Sequence, residues 1–134
     1  IAAIANGGTL YQPQIVSQIK RADGAVIDHA PNVLADKIIS PNILRIVREG
    51  MRQTVTDGTA QSLKDLPVQA AGKTGTAQFG NEHKTHGWFV SFAPYDHPEI
   101  AMIVLTENQT EDESYNTVPV TKEVYQWYFT REKK

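Results

Sequence analysis

Residues 71–78 read Ala71-Gly72-Lys73-Thr74-Gly75-Thr76-Ala77-Gln78, a run of small and polar residues set into strand-forming sequence. Gly72-Lys73-Thr74 can close a phosphate-binding loop, but such a loop needs another glycine five residues earlier so that backbone amides curl around a phosphate. That position is Pro67, which has no amide hydrogen. Lys73 also falls early in a β-patterned segment rather than opening a helix, so the nucleotide-binding pattern is not met. The plainest alternative makes Lys73 an ordinary surface lysine and the glycines a bulge. The flanking sequence decides between a site and a bulge.

Downstream, Gln69 to Phe79 reads as a strand, and His86 to Tyr95 as a second, with Trp88, Val90 and Phe92 on one face and Phe89 on the other. Asp96-His97-Pro98 is a turn. Ile100 to Leu105 is a continuous apolar run without alternation, which predicts a central strand covered on both faces. Thr117 to Phe129 reads as a helix with Val120, Val124, Trp127 and Tyr128 on one face; Trp127, Tyr128 and Phe129 are expected to pack against the sheet.

Upstream, Ser40-Pro41 opens a helix, with serine as N-cap and proline at the first helical position. Ile43, Val47 and Met51 recur every four residues, widened by Leu44 and Ile46. Asp57-Gly58 ends this helix, and Thr59 to Lys64 suggests another helical turn. Earlier still, Thr9 to Arg21 reads as a strand interrupted near its start by Pro13, and Asp23-Gly24 turns it back through Ala25-Val26-Ile27. Ile1 to Ala5 has helical composition and runs into Asn6-Gly7-Gly8, a helix stop. The expected organisation is a helix end and hairpin region over 1–40, a helical stretch over 41–64, three sheet strands over 69–107 and a C-terminal helix over 117–130. No internal repeat or low-complexity segment is present.

The chain of 134 residues suits one domain or part of a larger one, and its apolar fraction of 40% suffices for a packed core. A formal charge of −2 argues against a nucleic-acid binder, which usually shows a basic face. The absence of cysteine excludes disulfides and cysteine-bound metal, and leaves the redox compartment open. No apolar run reaches the ~18 residues that span a bilayer, and no signal-peptide pattern is seen. Ile1 stands where neither an initiator methionine nor an N-cap precedes the helical residues. The expectation is a soluble fragment whose membrane anchor, if any, lies in a longer parent.

Several stretches in order carry a resemblance: Ala3-Ile4-Ala5-Asn6-Gly7-Gly8-Thr9-Leu10-Tyr11, Ile39-Ser40-Pro41, Glu49-Gly50-Met51, Asp57-Gly58-Thr59-Ala60, residues 71–78, and Trp88-Phe89-Val90-Ser91-Phe92-Ala93-Pro94. Together they resemble the class B penicillin-binding proteins, the peptidoglycan DD-transpeptidases, with the elongation-type penicillin-binding protein 2 as the nearest likeness. The resemblance covers nearly the whole chain but only the C-terminal part of that family's transpeptidase domain. It implies an α/β (α+β) fold, a partial β-lactamase/transpeptidase-like arrangement of an antiparallel sheet with flanking helices. It also implies that Lys73 provides a positive charge beside the terminal D-Ala carboxylate of a stem peptide, or the carboxylate of a β-lactam. Thr74 and Thr76 offer hydroxyls to that carboxylate. Gly75 lets the acyl-donor peptide lie alongside as an added strand. The backbone amide of Thr76 matches an oxyanion donor, a role typically worth ~10²–10³ in turnover. No cofactor is implied.

The same enzymes use a Ser-x-x-Lys nucleophile motif and a Ser-x-Asn. Ser17-Gln18-Ile19-Lys20 and Ser40-Pro41-Asn42 satisfy both literally and in the right order. Ser-x-x-Lys functions because positions i and i+3 share a helix face, whereas Ser17 and Lys20 sit in β-patterned sequence, where three residues put side chains on opposite faces. Ser40 is explained by capping. Ser114-Tyr115-Asn116 follows Lys73 and lies in an acidic loop. The nucleophile is therefore expected outside this chain, and the isolated chain is expected to be inactive.

Glu82, His83 and His86 offer a partial metal-ligand set without well-placed third and fourth ligands, so no metal is expected. His86 instead resembles a residue at the start of the strand that follows the active-site strand. Asn108-Gln109-Thr110 is a glycosylation sequon, and Glu111 to Glu113 a solvated acidic run. Three readings stand: a piece of a DD-transpeptidase of the bacterial cytoplasmic membrane, its domain on the outer side; a piece of a serine β-lactamase; and a non-catalytic penicillin-recognising sensor. The hairpin at 9–28 and Gly58-Thr59-Ala60 favour the first. The outer edge of the strand at 100–107 is expected to be unpaired in this chain and to invite self-association.

Overall fold

The computed structural model describes residues 1–80, 84–109 and 116–131. One helical turn, α1 (Ala2–Ala5), stops at Gly7 and Gly8, whose φ values of 90° and 108° favour glycine. Asn6 closes this stop, its Oδ1 accepting from the amides of Gly8 and Thr9.

Residues 9–38 form two small antiparallel ribbons from β1 (Leu10–Tyr11), β2 (Gln18–Lys20), β3 (Val26–Asp28) and β4 (Val33–Ala35). β2 pairs with β3 around the expected turn, where Asp23 Oδ1 accepts from the Ala25 amide at 2.9 Å. The single strand expected over Thr9 to Arg21 is instead two pieces, and β1 pairs with β4. β4 is too short and too near Pro31 for alternation to announce it. Thr9 Oγ1 donates to Asp36 Oδ1 at 2.8 Å, and with the Lys37 amide holds that carboxyl below the ordinary aspartate range.

Ser40 caps α2 (Pro41–Thr56), its Oγ accepting from the Ile43 amide at 3.4 Å. The buried residues of α2 are Leu44, Met51 and Val55, while Ile43 and Ile46 are 54% and 55% exposed. The expected Ile43–Val47–Met51 stripe is thus rotated. Arg48 explains the rotation: its guanidinium donates to the carbonyls of Ala5 (2.7 Å) and Tyr95 and lies 5.0 Å from the Phe92 ring centre. A pattern that counts arginine as outward misses a cation whose donors find carbonyls and an aromatic face inside. The helical turn expected after α2 is a 3₁₀ turn, Gln61–Asp65, which buries Leu63.

Three long strands follow: β5 (Ala71–Phe79), β6 (Lys84–Ala93) and β7 (Ile100–Gln109), hydrogen-bonded antiparallel in that order. The two-residue alternation of β6 sends Phe89, Ser91 and Ala93 to one face and Val90 and Phe92 to the other. On the first face Phe89 and Ala93 join Val55, Leu63, Leu66 and residues of the last helix, α3 (Thr117–Thr130). On the second, Phe92 and Ala71 meet Met51 and Ala5. One side of the sheet is thereby covered by α3 together with the end of α2 and the 3₁₀ turn, and the other is packed by α1 and the Met51 turn of α2.

Two further expectations are corrected. β7 is not central: it is an edge strand, with Ile103 54% and Leu105 39% exposed, and among the described residues no strand pairs with its outer edge. Apolar composition indicates what a strand can tolerate, but its neighbours decide what covers it. In α3 the buried face is Val118, Thr121 and Tyr125 rather than Val120, Val124, Trp127 and Tyr128; Trp127 is 61% exposed and packs against Arg131. Thr121 and Tyr125 can be buried because each has a partner: Thr121 Oγ1 donates to the Thr117 carbonyl, and the Tyr125 hydroxyl lies 2.8 Å from Ser91 Oγ. Burial pushes the Tyr125 hydroxyl up to about 12, against the opposing effect of Ser91. Glu82, His83, Thr110, Glu111 to Glu113 and Ser114-Tyr115 lie outside the described residues.

Candidate active site

Three backbone partners show which way β5 faces. The Gln69 carbonyl accepts from the Tyr95 amide at 2.7 Å, on the side of β6. The Ala70 carbonyl accepts from Arg52 Nη1 at 2.9 Å, and the Thr74 carbonyl from Lys73 Nζ at 2.6 Å. Successive peptide groups of a strand alternate sides. The even-numbered residues of β5 therefore turn N–H and C=O away from β6, toward the edge with which, among the described residues, no strand pairs. The Thr76 amide is one of these groups.

The side chains divide by the same alternation. Lys73 stands opposite Val90 on the α2 face, exposed, and borders a cavity of about 550 Å³ walled by Ile1, Ile4, Val47, Met51 and Val90. Among the described residues it forms no ion pair. Thr74 is half-buried on the other face, and its Oγ1 lies 3.0 Å from Thr59 Oγ1. Thr76 and Gly75 are exposed. An ammonium, two hydroxyls and an edge amide thus lie within four consecutive residues of one open strand. This set can receive an anion and an extended backbone.

The two motif glycines differ. A Cβ on Gly72 would lie 2.4 Å from Phe89 Cζ and 2.9 Å from the Val90 carbonyl oxygen, inside the core. A Cβ on Gly75 would meet only Trp88 Cβ at 3.6 Å, an ordinary contact. Packing therefore demands the first glycine and tolerates a methyl at the second.

The literal serine motifs are placed as follows. Ser17 lies in extended chain just before β2, its carbonyl accepting from the His29 amide, and Lys20 ends that strand. Ser40 Oγ is occupied as the cap of α2. His86 stands opposite Ala77, and its Nδ1 accepts from the Asn108 amide at 3.2 Å, where the β6–β7 ladder is irregular and Asn108 has φ 56°. Among the described residues no three His, Asp or Glu side chains gather into a metal site. No described helix is long and apolar enough to cross a membrane.

Sequence reasoning missed Thr59 and Arg52 as neighbours of β5. Thr59 was legible only inside the Asp57-Gly58-Thr59-Ala60 resemblance, and Arg52 had no signal, since its carbonyl partner is set by the docking of α2.

An antiparallel sheet between helices, with a lysine and two threonines on an exposed edge, matches a known class of domain. The family model "Penicillin binding protein transpeptidase domain" matches residues 1–126. The peptidoglycan D,D-transpeptidase PbpA of Mycobacterium tuberculosis is 35% identical over 111 residues, covering 80% of this chain and 22% of that protein. The peptidoglycan D,D-transpeptidase MrdA of Acinetobacter baumannii is 30% identical over 147 residues, covering 98% of this chain and 22% of that protein. The solved imipenem acyl-enzyme complex of penicillin-binding protein A from M. tuberculosis superposes with a TM-score of 0.75 at 28% identity, covering 92% of this chain and 28% of that one. The chain belongs to the penicillin-binding protein transpeptidase family. It spans about a fifth of the length of the curated relatives it matches, and their names favour the transpeptidase reading over the β-lactamase and sensor readings.

Proposed function

We propose that this chain is the C-terminal part of a DD-transpeptidase domain and forms one wall of its acyl-transfer cleft. The observation that carries this is the direction of β5: its even-numbered amides, Thr76 included, point to an open edge beside Lys73. The donor stem peptide lies along that edge as an added strand. Lys73, with the Thr74 and Thr76 hydroxyls, holds the terminal D-Ala carboxylate; Gly75 leaves the strand surface low.

A serine from outside this chain attacks the penultimate D-Ala carbonyl. Its proton passes through a neighbouring base, and the carbonyl oxygen takes negative charge at the Thr76 amide. The C–N bond then breaks, the terminal D-Ala leaves as a protonated amine, and a serine ester remains. An amine of a second stem peptide attacks the ester, forms the crosslinking amide and returns the proton to serine. A β-lactam enters the same way, but its opened ring stays attached. The solved imipenem acyl-enzyme complex of the M. tuberculosis relative supports this chemistry. On this reading the intact protein works at the bacterial cytoplasmic membrane, with this domain on its outer face.

The test is covalent labelling by fluorescent penicillin. The intact protein is expected to label, Lys73→Ala to lose labelling at least tenfold, and the isolated chain to remain unlabelled. Labelling of the isolated chain that disappears with Ser17→Ala would overturn the reading. The open β7 edge, with Ile103 and Leu105 exposed, further predicts association of isolated chains through strand pairing. Light scattering that finds only monomer at high concentration would refute that part.

A further inference from the structure

Thr59 belongs to a segment whose position is over-determined. The Gly58 amide donates to the Gln53 carbonyl and the Ala60 amide to the Thr54 carbonyl, both at 3.0 Å. A Cβ on Gly58 would lie 2.8 Å from Thr54 Cα, and Ala60 is fully buried. The end of α2 therefore holds Thr59 against β5, and its Oγ1 lies 3.0 Å from Thr74 Oγ1. Arg52, one turn earlier on the same helix, grips the Ala70 carbonyl of the same strand.

A hydroxyl has one hydrogen and two acceptor sites. Two hydroxyls in contact share one hydrogen between them, so the second hydrogen must go elsewhere. If Thr59 donates to Thr74, the Thr74 O–H is free to donate and is polarised by the bond it accepts. We propose that Thr59 is a positioning residue for the carboxylate end of the substrate: it sets the rotamer of Thr74 and turns the Thr74 hydrogen toward the incoming anion beside Lys73. This rests on the proposed transpeptidase reading and adds to it a residue outside the Lys-Thr-Gly strand. Thr59 touches no reacting atom; it acts through Thr74.

The experiment uses the intact protein containing this chain, with β-lactam acylation resolved into a half-saturating concentration and a limiting rate. Thr59→Val is expected to raise the half-saturating concentration about two- to tenfold, the worth of one ordinary hydrogen bond, with the limiting rate little changed. Thr59→Ser is expected to restore it. The double variant T59V/T74V should be no worse than T74V alone, and a methyl ester of the same β-lactam should show no T59V effect. Thr59 is exposed, so T59V is expected to unfold at the wild-type temperature; Thr59→Ala serves as a second truncation. Wild-type behaviour of T59V alongside an impaired T74V would overturn the inference and leave the site reading standing. Additive T59V and T74V effects would also overturn it. If K73A and T74V both leave acylation unchanged, the site reading itself fails.

Discussion

Gly72→Ala is the substitution that most directly probes how the sheet holds the Lys73 strand. The added methyl carbon would meet Phe89 Cζ at 2.4 Å, Phe89 Cε2 at 2.9 Å and the Val90 carbonyl oxygen at 2.9 Å. Carbon atoms in contact sit ~3.5–4 Å apart, so something must yield by about 1 Å. Phe89 is fully buried in the cluster with Val55, Ala93 and Tyr125, and the Val90 oxygen belongs to the neighbouring strand. Neither can swing into solvent. Overpacking of a well-filled core costs about 1–3 kcal/mol, and this contact belongs at the upper end, ~3 kcal/mol. For a chain of this size that is a fall of about 10 °C in Tm.

Gly75→Ala, three residues along the same strand, is the control. Its Cβ meets one atom at 3.6 Å, and losing a strand glycine is worth about 0.5–1 kcal/mol in the stabilising direction. Thermal unfolding followed by circular dichroism should therefore separate the two variants by roughly 3–4 kcal/mol on these combined figures. If G72A unfolds within 1 °C of wild type, or the two variants shift together, the assignment of Gly72 to packing is wrong.

Tyr125→Phe removes the partner of the fully buried Ser91 Oγ and is expected to cost about 1–3 kcal/mol, with S91A/Y125F costing less than the sum of the single variants in denaturant unfolding. Stability should also fall with alkali. The unfolded chain gives up the tyrosine proton near pH 10 while folded Tyr125 keeps it to about 12. Stability is thus full below pH 10 and declines through pH 12, by about 1.4 kcal/mol per unit; in urea titrations Tyr125→Phe should flatten that decline. Ser40→Ala should destabilise by about 0.5–1 kcal/mol, at the modest end for an N-cap because the bond is 3.4 Å; a loss above 2 kcal/mol would show that Ser40 has a second role.

Local chemistry was legible wherever a residue type has few alternatives. Ser40-Pro41 opened α2, Asp23-Gly24 turned a hairpin, and the alternation of Phe89 against Val90 and Phe92 assigned both faces of β6. The site strand was legible too, because Lys73-Thr74-Gly75-Thr76 is short, contiguous and set among stretches that resemble one family in order. The failures share a cause. The α2 stripe was rotated because Arg48 found carbonyls at Ala5 and Tyr95, 43 and 47 residues away in sequence. The α3 face was misread because Thr121 and Tyr125 could be buried once partners satisfied them. The apolar run of β7 suggested a strand covered on both faces, yet Ile103 and Leu105 are exposed and, among the described residues, the strand lies at the edge that the family resemblance implied for this chain.

By itself, then, the sequence determined the elements, their turns and caps, and the chemical content of the strand at 71–79, since these depend on contacts within a few residues. Only the tertiary structure decided that the Thr76 amide faces an open edge, that Gly72 rather than Gly75 answers to packing, and that Thr59 reaches Thr74 across 15 residues of chain. Those facts depend on the docking of α2 and β6 against β5. Pairwise proximity between distant segments is created by burial of the shared core, and no single segment's pattern encodes it.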